Sequence, residues 1–541
     1  MAELDTTPYW LTSTTLPRFA PLDRDLQVDV VVIGGGITGI TAAYLLKQAG
    51  RTVALLDRGR AAGIDTGHTT AHLTCVTDTR LTELVEYFGE DHATAVWDAG
   101  FAAIAQIDDL VRTQRIDCHF AWVSGYLHAP IDASASDANA KVNANAGADI
   151  DALREEAELI AKLGFDARFV DRIPLMNTPG IEIDGQARFH PLKYLSALLA
   201  RIHGDGSYVF EHTNADEVRD DPLAVVAAGH TIACRDVVVA THYPIVGKAS
   251  VIGATLLDTK LAHYTSYVVG GRVPAGTVPD ALFWDTADPY HYLRLDRGDD
   301  GGEYVIYGGE DHKTGQADDT RECFSRLERA LSRLIPGVAV THRWSGQVVE
   351  TNDGLPFIGE MVPHQFTATG FAGNGMTFGT LGGMMARDAI LDRPNPWREL
   401  FDVGRTKIRG GLYDYLAENK DYPYYLIRDR FAGAQGRSLR TLRRGEGRLL
   451  ELDGDQVAAY RDHDGAVTRL SAICTHMACR VAWNTAERTW DCPCHGSRFA
   501  PTGEVIAGPA ERPLASLDRR EEASKNLRAA GHARGHAGGR G

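Results

Sequence analysis

Apolar residues change their period along this chain in a way that outlines its elements. Val28-Asp-Val-Val-Val-Ile33 is an almost continuous β-branched run, followed by Gly34-Gly-Gly36-Ile-Thr-Gly39 and by a mixed run from Ile40 to Gln48 closed by Gly50. A short apolar run bounded by glycines reads as a strand buried on both faces, as in a parallel sheet, and the longer segment beyond it as a helix. A second run, Thr52-Val-Ala-Leu-Leu56, ends at Asp57 and completes a strand, turn, helix, strand unit. Helical spacing over residues 80–115 and 150–164 predicts further helices, and Pro191, suited to a helix's first turn, opens another. From Leu261 to Tyr307 aromatic and β-branched runs alternate, as in Tyr264-Thr-Ser-Tyr-Val-Val and Tyr304-Val-Ile-Tyr307, which predicts an antiparallel sheet. Asp132 to Asp149, rich in Ala, Asn, Asp and Ser, reads as an exposed loop or the lead into a helix.

A chain of 541 residues is too long for one core and predicts two or three domains. Its 56 basic and 72 acidic residues leave a net charge of −16, so no basic field exists to recruit nucleic acid. Of eight cysteines, four fall between Cys474 and Cys494, while Cys75, Cys118, Cys234 and Cys323 are scattered, which argues against a secreted disulfide framework. The start, Met-Ala-Glu-Leu-Asp-Thr-Thr-Pro, has neither the basic segment nor the apolar stretch of a signal peptide. The uncharged run Val30 to Leu46 is interrupted by glycines and does not read as a membrane span. A cytoplasmic setting without a transmembrane segment is expected.

The glycines acquire chemistry from their position between strand and helix. Gly34 allows the turn, Gly36 lets backbone approach a pyrophosphate, Gly39 permits close helix packing, and Asp57 is placed to hold a ribose hydroxyl. Only one such fingerprint is present, whereas a pyridine-nucleotide-dependent flavin reductase needs two. Together with Asp353-Gly-Leu-Pro-Phe-Ile-Gly359 and Thr369-Gly370-Phe371-Ala-Gly373-Asn374-Gly375-Met376-Thr377-Phe378, the region from about Val28 to Trp397 resembles the D-amino-acid oxidase (DAO) family, which includes glycine and sarcosine oxidases. The resemblance implies FAD and an α/β (α+β) Rossmann-type FAD-binding domain with an antiparallel substrate sheet. It also implies that Gly373, Gly375, Met376 and Thr377 lie where the chain returns to the flavin and opens a helix from Thr377 to Leu391. Val237 to His242 would be a strand ending on the adenine side.

The other motif is Cys474-Thr-His476-Met-Ala-Cys479 with Cys492-Pro-Cys494-His495-Gly-Ser497-Arg-Phe499. Two loops that each supply one thiolate and one imidazole match the ligand set of a Rieske [2Fe–2S] centre. A structural zinc site accepts the same ligand types but groups Cys with Cys and His with His. The loops resemble those of the disulfide-bearing Rieske proteins of cytochrome bc1 and b6f complexes. That resemblance implies Cys474, His476, Cys492 and His495 as ligands, a Cys479–Cys494 disulfide, and a shielding loop at Gly508-Pro509 and Pro513-Leu514. In the high-potential respiratory type, Ser at the Ser497 position bonds a bridging sulfide and Tyr at the Phe499 position bonds a ligand sulfur. Phe499 removes one donor, which predicts a lower potential. The expected organisation is an oxidoreductase domain over 28–397, a linker over 398–430, a small all-β Rieske domain over 431–518 and a disordered tail over 519–541.

Catalytic residues are harder to read. In Asp65-Thr-Gly-His68-Thr-Thr-Ala-His72, His68 and His72 are candidates for contact with the isoalloxazine or even a covalent flavin link, or else bond only to backbone. The same residues superficially match a non-haem iron triad, which would make the chain a Rieske-type oxygenase component, but their spacing and order depart from that pattern. Val348 and Thr377 stand where amino-acid-oxidising relatives carry Arg or Lys, so a simple amino-acid substrate is not expected. Tyr290-His291-Tyr292-Leu-Arg294 and Glu310-Asp311-His312-Lys313 offer polar contacts, with Tyr292 and Arg294 the candidate catalytic pair. The expected function is an amine-type dehydrogenase that oxidises a small molecule at FAD and passes electrons through the cluster to an external acceptor. The reverse direction, with a donor protein, stays open, as does a redox sensor or electron carrier without its own substrate.

Overall fold

The computed structural model describes residues 5–131, 146–243, 260–317, 319–405, 438–439, 442–452, 454–476, 479–510 and 512–518. The expected tail over 519–541, most of the linker and residues 132–145 lie outside them. The chain divides into two compact units, residues 1–312 with 323–416, and residues 313–322 with 417–541.

The first unit is built on the predicted strand, turn, helix, strand unit. Strand Val30–Ile33, buried at all four positions, runs parallel to Val53–Leu56 on one side and to Asp236–Val239 on the other. Six strands line up in the order 357–362, 365–369, 236–239, 30–33, 53–56, 208–210. Helix Ile37–Gln48 is buried from Ile37 to Leu46 because helix Gly375–Ile390 packs on it. That contact depends on missing side chains: a Cβ at Gly379 would meet Ile37 Cγ2 at 2.7 Å and one at Gly383 would meet Thr41 Cβ at 2.8 Å. The distant glycine-rich segment is thereby held over the start of the first helix.

The predicted antiparallel sheet is larger than its sequence signal. Nine strands take part, including Leu261–Val273, Leu282–Asp285, Tyr292–Arg297, Glu303–Lys313 and Ala339–Thr351. Strand 282–285 pairs antiparallel with 292–297 and parallel with Ala121–His128. The predicted helices are Leu81–Phe88, Glu90–Gln114, Ala146–Lys162 and Pro191–Ile202, the last with Pro191 in its first turn and the His190 ring accepting from Lys193 N at 3.2 Å. Ala146 to Asp149, read as loop or lead-in, already belong to the third of these.

The second unit is all β. Strands Glu446–Leu452, Asp455–Arg461 and Val467–Ser471 form one antiparallel sheet, and Ala482–Asn484, Thr489–Asp491, Arg498–Phe499 and Val505–Ala507 form another. Its core includes the fully buried Trp490 and Phe499. It also takes in residues 313–322, where Gln316 Nε2 donates to Pro493 O (3.2 Å) and Thr320 Oγ1 to Asn484 Oδ1 (2.8 Å). The unit is therefore not the single stretch of chain expected from sequence. Among the described residues no helix is long and apolar enough to cross a membrane.

Candidate functional site

The first glycine turn is a tight, rigid piece of backbone. Gly34 adopts φ +105° beside the Ala240 carbonyl, and a Cβ at Gly39 would lie 1.9 Å from the Gly34 oxygen. Gly36 precedes the first helical residue, where a phosphate meets free N–H groups and the positive end of the helix dipole. Asp57 Oδ2 accepts from Gly35 N and Oδ1 from Gly59 N, both at 2.8 Å, and burial, the largest effect, raises its pKa. A residue that motif reading passed over sits here too: Thr66 Oγ1 accepts from Ile37 N at 3.1 Å. Thr66 lies in the same short turn, Asp65–His68, as the first candidate histidine.

At the other end, Asn374 Nδ2 donates to Thr74 O (3.2 Å) and Val76 O (2.8 Å), and Thr377 Oγ1 to Thr74 O (3.0 Å). These bonds fasten the start of helix Gly375–Ile390 to the segment that follows strand His72–Leu73. A Cβ at Gly375 would meet nothing within 4 Å, so open space lies in front of this helix start, next to Met376 and Thr377. Gly373 N donates to Asp78 Oδ2 at 2.6 Å, a contact across 295 residues of sequence. One constrained glycine turn, a 16-residue helix with an open N-terminal face and a carboxylate at the second strand's end fit a flavin dinucleotide.

The candidate catalytic residues separate. His68 bonds through Nδ1 to Ile64 O (2.8 Å), the backbone-bonded alternative. His72 Nδ1 contacts Thr70 Oγ1 (3.2 Å), its ring meets Tyr292 edge-on, and burial, then Arg294, pushes its pKa down to about 3. An imidazole so held is neutral at ordinary pH. Arg294 requires a correction. It is fully buried, donates to Ala71 O (2.6 Å) and Phe189 O (3.0 Å) and pairs with the equally buried Asp296 (3.2 Å), so it is not the catalytic contact expected from sequence. Its guanidinium clamps three segments of the sheet. Removing one partner of a buried pair strands the other, at a cost of about 3–5 kcal/mol. Arg294→Leu should lower the first unit's stability by that amount in denaturant titration followed by tryptophan fluorescence, and an unchanged midpoint would refute the clamp.

Tyr292 is better placed. Its hydroxyl bonds to Ser266 Oγ, and the neighbouring Tyr290 hydroxyl donates to Asp78 Oδ1 at 3.3 Å. Asp311 belongs to the same wall: burial, opposed by the Ser266 hydroxyl and reinforced by the charge of Asp78, pushes it up to about 7. Val348 pairs with Tyr264 on the adjoining strand and offers no charge. Glu310 is ion-paired with Arg326 (2.6 Å).

The cluster loops leave the two sheets of the second unit. Residues 474–479 follow strand 467–471, with Cys474 N donating to Cys479 O (2.8 Å), while 492–497 join 489–491 to 498–499, with Cys492 N donating to Ser497 O (2.8 Å). Arg498, bonded to Glu487 and to Asp491 (3.2 Å), braces the second loop. Cys479 and Cys494 form a disulfide. The buried Cys474 and Cys492 side chains are hydrogen-bonded to each other, and the His476 and His495 rings lie 5.0 Å apart, centroid to centroid. Burial, then His476, pushes His495 down to about 4, leaving the neutral imidazole that a metal requires. Ser497 Oγ accepts from Ala510 N (3.0 Å) in the proline-flanked loop, which leaves its proton available to a cluster sulfide, and Thr475 Oγ1 donates to Arg512 O (2.5 Å). Two buried thiols, two half-buried neutral imidazoles and the buried Ser497 hydroxyl, brought together by the two loops, fit a [2Fe–2S] cluster.

Comparison with known proteins agrees with both halves. Residues 29–389 match the family described as FAD dependent oxidoreductase (DAO), and residues 437–518 match the Rieske [2Fe-2S] domain. YhfW of Bacillus subtilis, named as a Rieske 2Fe-2S iron-sulfur protein, is 32% identical over 94% of this chain and 97% of its own. A cytochrome b6-f complex iron-sulfur subunit from Chlorobaculum thiosulfatiphilum is 38% identical over 14% of this chain and 42% of its own. The crystal structure of glycine oxidase from Geobacillus kaustophilus superposes with a TM-score of 0.56 at 17% identity, covering 70% of this chain and 99% of that one.

Proposed function

The chain belongs to the FAD dependent oxidoreductase (DAO) family and carries a Rieske [2Fe–2S] domain, and from that premise we propose that it is an amine-type dehydrogenase whose electrons leave through the cluster to an external acceptor. The observation that carries this reading is the union, in one chain, of a family region for two-electron oxidation with a domain that handles electrons singly. When bound, FAD supplies the hydride acceptor and the cluster the one-electron outlet.

The protein's own residues hold these groups and shape the substrate space. Gly34, Gly36, Gly39 and Asp57 hold the dinucleotide, with Thr66 bracing the helix start. Asn374 and Thr377 fix the helix at the flavin end. His72 and Tyr292 close the wall beyond it, His72 as a neutral ring. Cys474, His476, Cys492 and His495 hold the cluster, with Cys479 and Cys494 tying the two loops.

Steady-state turnover tests the dehydrogenase assignment. With an amine that reduces the protein, a one-electron acceptor should be consumed at two equivalents per imine formed, with little peroxide in air. Stoichiometric peroxide and an idle acceptor would identify an oxidase instead.

The fully buried Phe499 sets a second expectation. Phe499→Tyr adds a donor toward a ligand sulfur. One hydrogen bond of about 0.5–1.5 kcal/mol favouring the reduced cluster corresponds to about 20–65 mV for one electron. Protein-film voltammetry should show a rise of that size; an unchanged or lower midpoint would refute it.

A further inference from the structure

The wall in front of Gly373 holds two carboxylates, Asp78 and Asp311. Asp78 accepts from Gly373 N (2.6 Å) and Tyr290 OH (3.3 Å). Asp311 lies on the same wall, near enough that both carboxylates act on the tyrosines: after burial, Asp78 and then Asp311 raise the Tyr290 hydroxyl, and Asp311 raises that of Tyr292. Asp311 Oδ1 is fully enclosed and has no hydrogen-bond partner. A buried acceptor without a donor is costly, and more so when charged. Such a group in a native structure calls for an explanation, a catalytic role or a bound ion among them.

Burial holds the Asp311 carboxyl at about 7, where it shares its proton with solvent or ligand, and Ser266 and His291 oppose that shift only in part. No arginine or lysine is bonded to either carboxylate among the described residues. The nearby cation, His291, is engaged by Asp285 (3.3 Å) and Glu310 (3.9 Å), and these partners outweigh burial to raise its pKa to about 9. Val348 and Thr377 offer no cation, and Thr377 gives its hydroxyl to Thr74 O. The site therefore combines two carboxyls with hydroxyl donors and, among the described residues, no Lys or Arg bonded to either acid. An ammonium group brings three N–H donors and a positive charge.

We propose, on the reading that the flavin site oxidises an amine, that Asp78 and Asp311 recognise the protonated amino group of the substrate, so that the substrate class is a cationic amine with no carboxylate beside its nitrogen. A carboxylate there would face the like charges of Asp78 and Asp311, and among the described residues no Lys or Arg is bonded beside them to receive it. The tyrosine hydroxyls of Tyr290 and Tyr292 orient the amino group between the two acids.

The test uses the full-length, FAD-loaded protein under anaerobic conditions and three probes. They are n-butylamine, norvaline, which is the same skeleton with a carboxylate beside the nitrogen, and 1-butanol as the neutral control. Perturbation or bleaching of the flavin absorption band gives each half-saturation. n-Butylamine should act at about ten- to hundred-fold lower concentration than norvaline, and 1-butanol should have no effect. Asp311→Asn should weaken n-butylamine by a similar factor, while Asp311→Glu, which keeps the charge, should stay within a few-fold of the parent. If Asp311→Asn does not retain FAD, Asp78→Asn carries the same expectation. Norvaline acting as well as n-butylamine overturns the proposal while leaving the amine dehydrogenase reading intact. So does unchanged n-butylamine affinity in the folded Asn variants. A flavin that ignores both amines but is bleached by a donor without nitrogen overturns the amine reading itself.

Discussion

Gly39→Val should yield protein that keeps its cluster and loses most of its FAD. The substituted Cβ would start 1.9 Å from the Gly34 carbonyl oxygen, and that atom belongs to the turn, which is itself pinned against Ala240. No side-chain rotation relieves an overlap with backbone. Either the helix lifts from the strand or the turn opens, and both changes move the N–H groups that meet the pyrophosphate. Overpacking of this kind costs about 1–3 kcal/mol or more, which becomes about ten- to hundred-fold in dinucleotide affinity because the distortion falls on the binding backbone. The flavin-to-protein ratio after gel filtration measures it, with the cluster's visible absorption as an internal control. Parent-like FAD content would remove the turn from the account of binding.

Cys474→Ser should have the reverse effect, abolishing the cluster signal and keeping FAD. Serine nearly preserves volume in the buried first loop, and the Cys474 N to Cys479 O bond is backbone only, so the second unit loses little packing. It loses a thiolate, and iron–sulfur ligation depends on deprotonated sulfur. The expected result is complete loss of the reduced-cluster EPR spectrum with a parent-like flavin-to-protein ratio. Loss of both cofactors would contradict separate binding sites in the two units.

The parts of this protein that were legible in its sequence are those whose chemistry is local. A glycine turn between two apolar runs and two cysteine–histidine loops need only a few adjacent residues to declare themselves. The antiparallel sheet was legible in its aromatic alternation, though not in its extent, because strands such as Ala121–His128 and Gly180–Arg188 join it from far upstream. Arg294 was misread for a physical reason: an arginine in a strand is an anion site or a buried clamp according to what surrounds it, and the carbonyls that claim it belong to Ala71 and Phe189. Asp78 and Thr66 left no motif at all, since each acquires its role from a partner supplied by another part of the chain. Residues 313–322 join the cluster unit through contacts with Asn484 and Pro493 that no sequence pattern encodes.

The central claim is that electrons taken from substrate at the FAD site leave through the cluster. Anaerobic addition of an amine that bleaches the flavin, followed by visible absorption and EPR on the same sample, tests it most directly. The account predicts that the reduced-cluster EPR spectrum grows with the number of substrate equivalents added, and that in Cys474→Ser the flavin bleaches without any such spectrum. A parent protein whose flavin is fully reduced by substrate while its intact cluster remains oxidised would contradict it.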